Sequence, residues 1–83
     1  MAVARRDFVH FQLRIDGELR MCRITRSALL IRERLEMRDD TTEVVLRIFE
    51  RNKIEIEKLA ITIVRQCPAK RRKITITTAE FPG

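Results

Sequence analysis

One histidine, two cysteines, two adjacent aspartates and a run of four cations are the side chains of this 83-residue chain with chemistry to offer. His10 has no Ser, Cys or acid at a spacing that would make a nucleophile and an oriented base. Asp39 and Asp40 sit just ahead of a helical pattern, and carboxylates favour the positive end of a helix dipole, so a helix start accounts for them. Cys22 and Cys67 fall on apolar stripes and read as buried structural thiols. There is no CxxC for zinc or redox work and no GxGxxG or Walker pattern for phosphates. No catalytic residue, metal ligand or cofactor is assigned, and the chain is expected not to be an enzyme.

Binding chemistry is better represented. Lys and Arg number 18 against 12 Asp and Glu, a net charge of +6. Four cations are consecutive: Lys70, Arg71, Arg72 and Lys73. With Arg14 and Arg23, and with Arg5 and Arg6 near the N-terminus, they are candidate phosphate contacts, because such contacts need only positive charge and geometry. The competing reading of the run is a solvated loop. Aromatic residues are 5%, all phenylalanine. Three of the four, Phe11, Phe49 and Phe81, are wanted by the core, which counts against base stacking on a sheet. No helix-turn-helix pattern stands out. Nucleic-acid binding, where it occurs, is therefore expected to be weak and non-specific.

The elements that must position these groups follow from periodicity. Residues 8–15 alternate, with Val9, Phe11, Leu13 and Ile15 on one side and His10, Gln12 and Arg14 on the other, the period of a half-buried strand. Asp16-Gly17 is a two-residue hairpin signal, because a type I′ turn needs positive φ at both central positions. The return strand extends to residue 24. The turn sets Ile15 opposite Glu18, Leu13 opposite Arg20, Phe11 opposite Cys22 and Val9 opposite Ile24 on the core face. Arg14 with Leu19, Gln12 with Met21, and His10 with Arg23 share the outer face. Residues 1–7 are expected to be a flexible N-terminus.

Thr25 is a natural N-cap for a helix over 26–37, with Ala28, Ile31 and Leu35 on its stripe. Asp40 with Glu43 resembles a capping box. Residues 41–66 carry one unbroken stripe, Val45, Ile48, Phe49, Asn52, Ile56, Leu59, Ala60, Ile63 and Cys67, predicting a single helix roughly 38 Å long. Pro68 ends it. A third strand covers 74–78, and 79–83 form a tail with Phe81 folded back onto the core. The fold class is α+β: one domain in two layers, order β-β-α-α-β, with a three-stranded sheet and two helices on one face. Strand three is expected beside strand one; pairing with strand two stays open.

Asn52 stands in the middle of the long stripe. A buried amide needs a hydrogen-bond partner, and the expected partners are the hairpin or the chain near Phe81; the other reading is a polar group lining a pocket. Ile54 and Ile61 lie seven apart on the face opposite the core, flanked by Val44 and Leu46. With Leu19 and Met21 they are candidate partner contacts, for a second copy or an unknown protein.

The hairpin ending Cys22-Arg23-Ile24-Thr25, then Ala28-Leu29, Phe49-Glu50-Arg51-Asn52-Lys53 with Ile56, and Ile76-Thr77-Thr78-Ala79-Glu80-Phe81 resemble a family of small bacterial proteins, domain of unknown function 1488. The resemblance runs from Phe8 to Phe81. Thr25 stands where the family pattern has Ser, Lys53 where it has Arg, and Glu80 where it has Asp. It implies a small α+β fold and a bacterial cytoplasmic protein, and no activity.

Bulk features agree with that class. Hydrophobic residues are 45% and charged residues 36%, as in globular domains. No apolar run approaches the ~20 residues of a membrane span, the first residues lack the apolar stretch of a secretory signal, and two cysteines make no disulfide framework. The expected function is a non-catalytic protein-interaction or self-association module. The alternative is a nucleic-acid-associated accessory protein that uses the basic run.

Overall fold

A computed structural model describes residues 2–66 and 73–82. Among the described residues the chain is α+β, with a four-stranded mixed sheet and three α-helices. The strands are β1 (Val3–Arg5), β2 (Phe8–Ile15), β3 (Glu18–Thr25) and β4 (Lys73–Ile76); the helices are α1 (Arg26–Arg32), α2 (Thr42–Arg51) and α3 (Lys53–Gln66). The hairpin has the register that the Asp16-Gly17 turn dictates, from Ile15 opposite Glu18 to Val9 opposite Ile24. Both turn residues have positive φ, 51° and 85°, as type I′ requires.

The sheet order is β1-β2-β3-β4, which corrects the expected pairing. The last strand lies parallel to β3, with Cys22 opposite Ile74 and Ile24 opposite Ile76. The free edge of β2 is taken instead by β1, antiparallel, with Val3 opposite His10 and Arg5 opposite Phe8. The expected flexible N-terminus thus contains a strand. Its two-residue turn hides from sequence because Arg6, not glycine, holds the positive φ of 55°.

Burial follows the alternation. Val9, Phe11, Ile15, Cys22, Ile24, Ile74 and Ile76 are buried under the helices, and Leu13 is half-buried beside Arg20. Phe81 folds back and is fully buried. Its turn is held by Glu80, whose Oε1 accepts from the backbone N–H and the hydroxyl of Thr77, each at 2.8 Å.

The helices are shorter than their patterns suggested. Thr25 does cap α1, its hydroxyl accepting from the Ala28 N–H at 3.1 Å. The helix then ends at Arg32 rather than residue 37. Arg34 adopts φ 59°, and the N–H groups of Arg34 and Leu35 reach back to the carbonyls of Ile31 and Leu30. This is a Schellman closure with arginine where glycine is usual. Three consecutive residues, Ala28, Leu29 and Leu30, are buried, while Ile31 and Leu35 are exposed. So short a helix, contacting both β3 and α2, has no room for an i, i+3, i+7 stripe.

The long helix is interrupted at Asn52, where ψ is 14° rather than the helical value near −42°. Asn52 is half-buried, and its Nδ2 donates to the Ile48 carbonyl at 2.9 Å, not to the hairpin or to the chain near Phe81. Its backbone N–H is shared between Ile48 and Phe49. The amide thus competes for carbonyls inside its own helix. The apolar stripe crosses this point unbroken, which is why periodicity alone reads one helix. The N-cap of α2 is Thr41, its hydroxyl accepting from the Val44 N–H. Asp40 pairs with Arg26 at 2.6 Å instead of capping, and the Asp39 carboxylate accepts from the Glu36 N–H.

Candidate functional site

The three helices lie on one side of the sheet, and among the described residues nothing covers the other side. That outer face is built by the residues out of phase with the core. Arg5, Phe8 and Thr25 form one row across the strands; Val3, His10, Arg23 and Thr75 form the next. Gln12, Met21 and Lys73 follow, then Arg14 and Leu19. Four of these side chains are cations and none is a carboxylate. With no opposing charge interspersed, their fields add and attract polyanions.

Contacts within the face set the cations in place. The Arg23 guanidinium lies 4.1 Å from the centre of the Phe8 ring, and its Nε donates to the Thr75 hydroxyl at 2.9 Å. Phe8 and His10 stand with ring centres 5.9 Å apart, inclined at 60°. Near the hairpin tip, an Arg14 Nη donates to the Gly17 carbonyl at 3.2 Å. The His10 pKa is held below its ordinary value, first by burial and then by the positive charges of Lys73, Arg23 and Arg5. Arg5, Phe8, His10, Arg23 and Lys73 line one groove of about 500 Å³, with Arg6 and Asp7 at the β1–β2 turn.

The structure brings Arg23 and Lys73 of the expected phosphate contacts onto one surface and places Arg14 at its far end. Lys70, Arg71 and Arg72 lie outside the described residues, as does Cys67. Arg5, also expected among the phosphate contacts, is set on this face by its place in β1. Phe8 and His10 were not among the expected contacts; the signal for Phe8 was its parity with His10.

The candidate partner contacts divide. Leu19 and Met21 are exposed on the outer face, 56% and 40%, and Val3 joins them at 49%. On α3, Ile54 is 72% exposed. Ile61, expected on the face opposite the core, is half-buried and packs against the core, as do Val44 and Leu46. The helical apolar pair is thus reduced to Ile54 alone.

Elsewhere, Cys22 is buried and its thiol pKa is pushed up to about 11, chiefly by burial, which keeps it unreactive. Arg32 forks onto Glu55 with two 2.7 Å bonds, lies 3.7 Å from the Phe81 ring centre and donates to the Pro82 carbonyl at 2.9 Å. It fastens the chain around Phe81 to α3. Among the described residues no three His, Cys, Asp or Glu side chains are grouped to hold a metal, and no helix is long and apolar enough to cross a membrane. No family model matches the chain, and no curated protein or solved structure matches it significantly.

Proposed function

We propose that the protein is a non-catalytic binding module of the bacterial cytoplasm whose working surface is the uncovered sheet face and whose partner is nucleic acid. One observation carries this reading: Arg5, Arg14, Arg23 and Lys73 share that face, and no described strand position on it holds a carboxylate, Asp7 standing in the β1–β2 turn at its border. Phosphates are the natural complement of such a surface, and contact with them is independent of base sequence. The test is fluorescence anisotropy of a labelled oligonucleotide across a salt series. Four phosphate contacts to a single strand give a log–log slope of about −3, and a slope near about −5 would bring in Lys70, Arg71 and Arg72 as well. Arg23→Glu with Lys73→Glu is expected to abolish binding near physiological salt. No binding at low salt, or binding indifferent to salt and to these substitutions, would overturn the reading.

A second reading is supported by the exposure of Val3, Leu19 and Met21 on the same face and of Ile54 on α3. Apolar residues grouped on an open surface serve association, here with a second copy. Sedimentation across a concentration series tests it. A dimer lost on Leu19→Asp but kept on Ile54→Asp would assign the sheet face. A monomer at every concentration would reject self-association.

A further inference from the structure

The groove between Arg5 and Lys73 has the size and the lining of a nucleotide site. Its volume of about 500 Å³ lies within the roughly 300–1,000 Å³ of small-ligand sites. We propose that it seats one nucleotide of a single strand, the base against Phe8 and His10 and the phosphate among Arg5, Arg23 and Lys73. The inference rests on the nucleic-acid reading above and narrows it to single strands.

Two features separate single strand from duplex. Exposed bases stack on aromatic rings and on guanidinium planes; the Arg23 guanidinium already lies over one face of the Phe8 ring, and the rings of Phe8 and His10 both line the groove. A duplex hides its base faces and is read by an element that enters a groove. The two turns bordering this face, 6–7 and 16–17, have two residues each, so neither offers such an element. Arg23 is also fixed before any ligand arrives, by Phe8 and by the Thr75 hydroxyl, which lowers the ordering cost of binding.

His10 reports on occupancy. Across the strands it faces Val3 on β1 and Arg23 on β3; Arg5 and Lys73 act on it through space. Phe8 and Gln12 flank it on its own strand, and Asp7 is the one carboxylate among the groove's lining residues. A phosphate among the cations offsets the charge that now disfavours the imidazolium, while a base against the ring adds to the burial that lowers the pKa first, so occupancy shifts the His10 titration.

The experiment compares a labelled oligothymidine of about 12 nucleotides with the duplex formed by annealing it to its complement, near physiological salt. Proton NMR follows His10 with and without the single strand. The single strand is expected to bind at least about tenfold tighter, Phe8→Leu to lose roughly tenfold on the single strand alone, and the His10 pKa to shift. Equal affinity for both forms, with Phe8→Leu neutral, overturns the inference and leaves the nucleic-acid reading standing. Failure to bind either form overturns both. Should Phe8→Leu unfold, the His10 titration in the unaltered protein decides, and an unmoved pKa rejects the site.

Discussion

Along β2, Val9, Phe11 and Ile15 are buried while the residues between them, His10, Gln12 and Arg14, keep contact with solvent. Along β3, Cys22 and Ile24 are buried, and Leu19 and Met21 lie exposed among cations. The same strands therefore carry two surfaces with different tasks. The covered face gains the free energy of removing apolar area from water, about 1.5–3 kcal/mol for each large side chain. The open face gains little, and its cations repel one another. A face that contributes little to folding yet gathers like charge is better explained by a ligand than by stability.

The largest expected difference is between core and outer-face truncation. Phe49, 2% exposed and in contact with Phe11 at a ring separation of 5.0 Å, is expected to cost about 3–5 kcal/mol as Phe49→Ala in urea unfolding. Leu19→Ala is expected within about 0.5 kcal/mol of the parent. A loss at Leu19 comparable with that at Phe49 would show that the outer face is covered in solution.

A smaller effect separates embedded from exposed ion pairs. Arg32→Met keeps the apolar stem but removes the fork to Glu55, the Phe81 contact and the bond to Pro82. A loss of about 1–2 kcal/mol is expected. Arg47→Met, which breaks an exposed pair with Glu43 on α2, is expected to cost no more than about 0.5 kcal/mol. The Glu55 pKa is lowered, first by its hydrogen bonds from Arg32. Its contribution is therefore complete above the ordinary carboxylate value of 4.5 and fades as pH falls through the lower folded value. Arg32→Met should flatten the loss of stability below about pH 4.5, measured by urea titration at each pH.

The smallest expected effect is a gain. Arg34 holds a left-handed conformation, φ 59°, that glycine adopts without strain. Arg34→Gly is expected to stabilise by about 0.5 kcal/mol, once the extra freedom of glycine in the unfolded chain is set against the relief. Destabilisation would mean that the Arg34 side chain has a role of its own.

The hairpin register was legible to the residue because alternation and Asp16-Gly17 point to the same pairing, and a one-residue slip would bury Arg14 and Gln12; the return strand runs one residue further than expected, to Thr25. Most of the core of α2 and α3 was legible from the helical-period stripe, but Val44, Leu46 and Ile61, set off that stripe, pack against the core as well. What failed lies where a residue departs from its usual role. Arg6 and Arg34 stand at positive φ where glycine would have announced a turn, so β1 went unseen and α1 was drawn too long. Asn52 interrupts a helix without interrupting its apolar stripe. The parallel docking of β4 on β3 is a long-range choice that no local period encodes. Half of the groove depended on these misses, since Arg5 needs β1 and Lys73 needs β4.

The central claim, that the outer sheet face is the binding surface, is tested most directly by amide NMR of the labelled protein titrated with an oligothymidine. Shifts confined to Arg5, Phe8, His10, Arg23, Lys73 and their strand neighbours, with α2 and α3 unmoved, are the expected result. Shifts centred on the helices around Ile54, or none at any ratio, would contradict it.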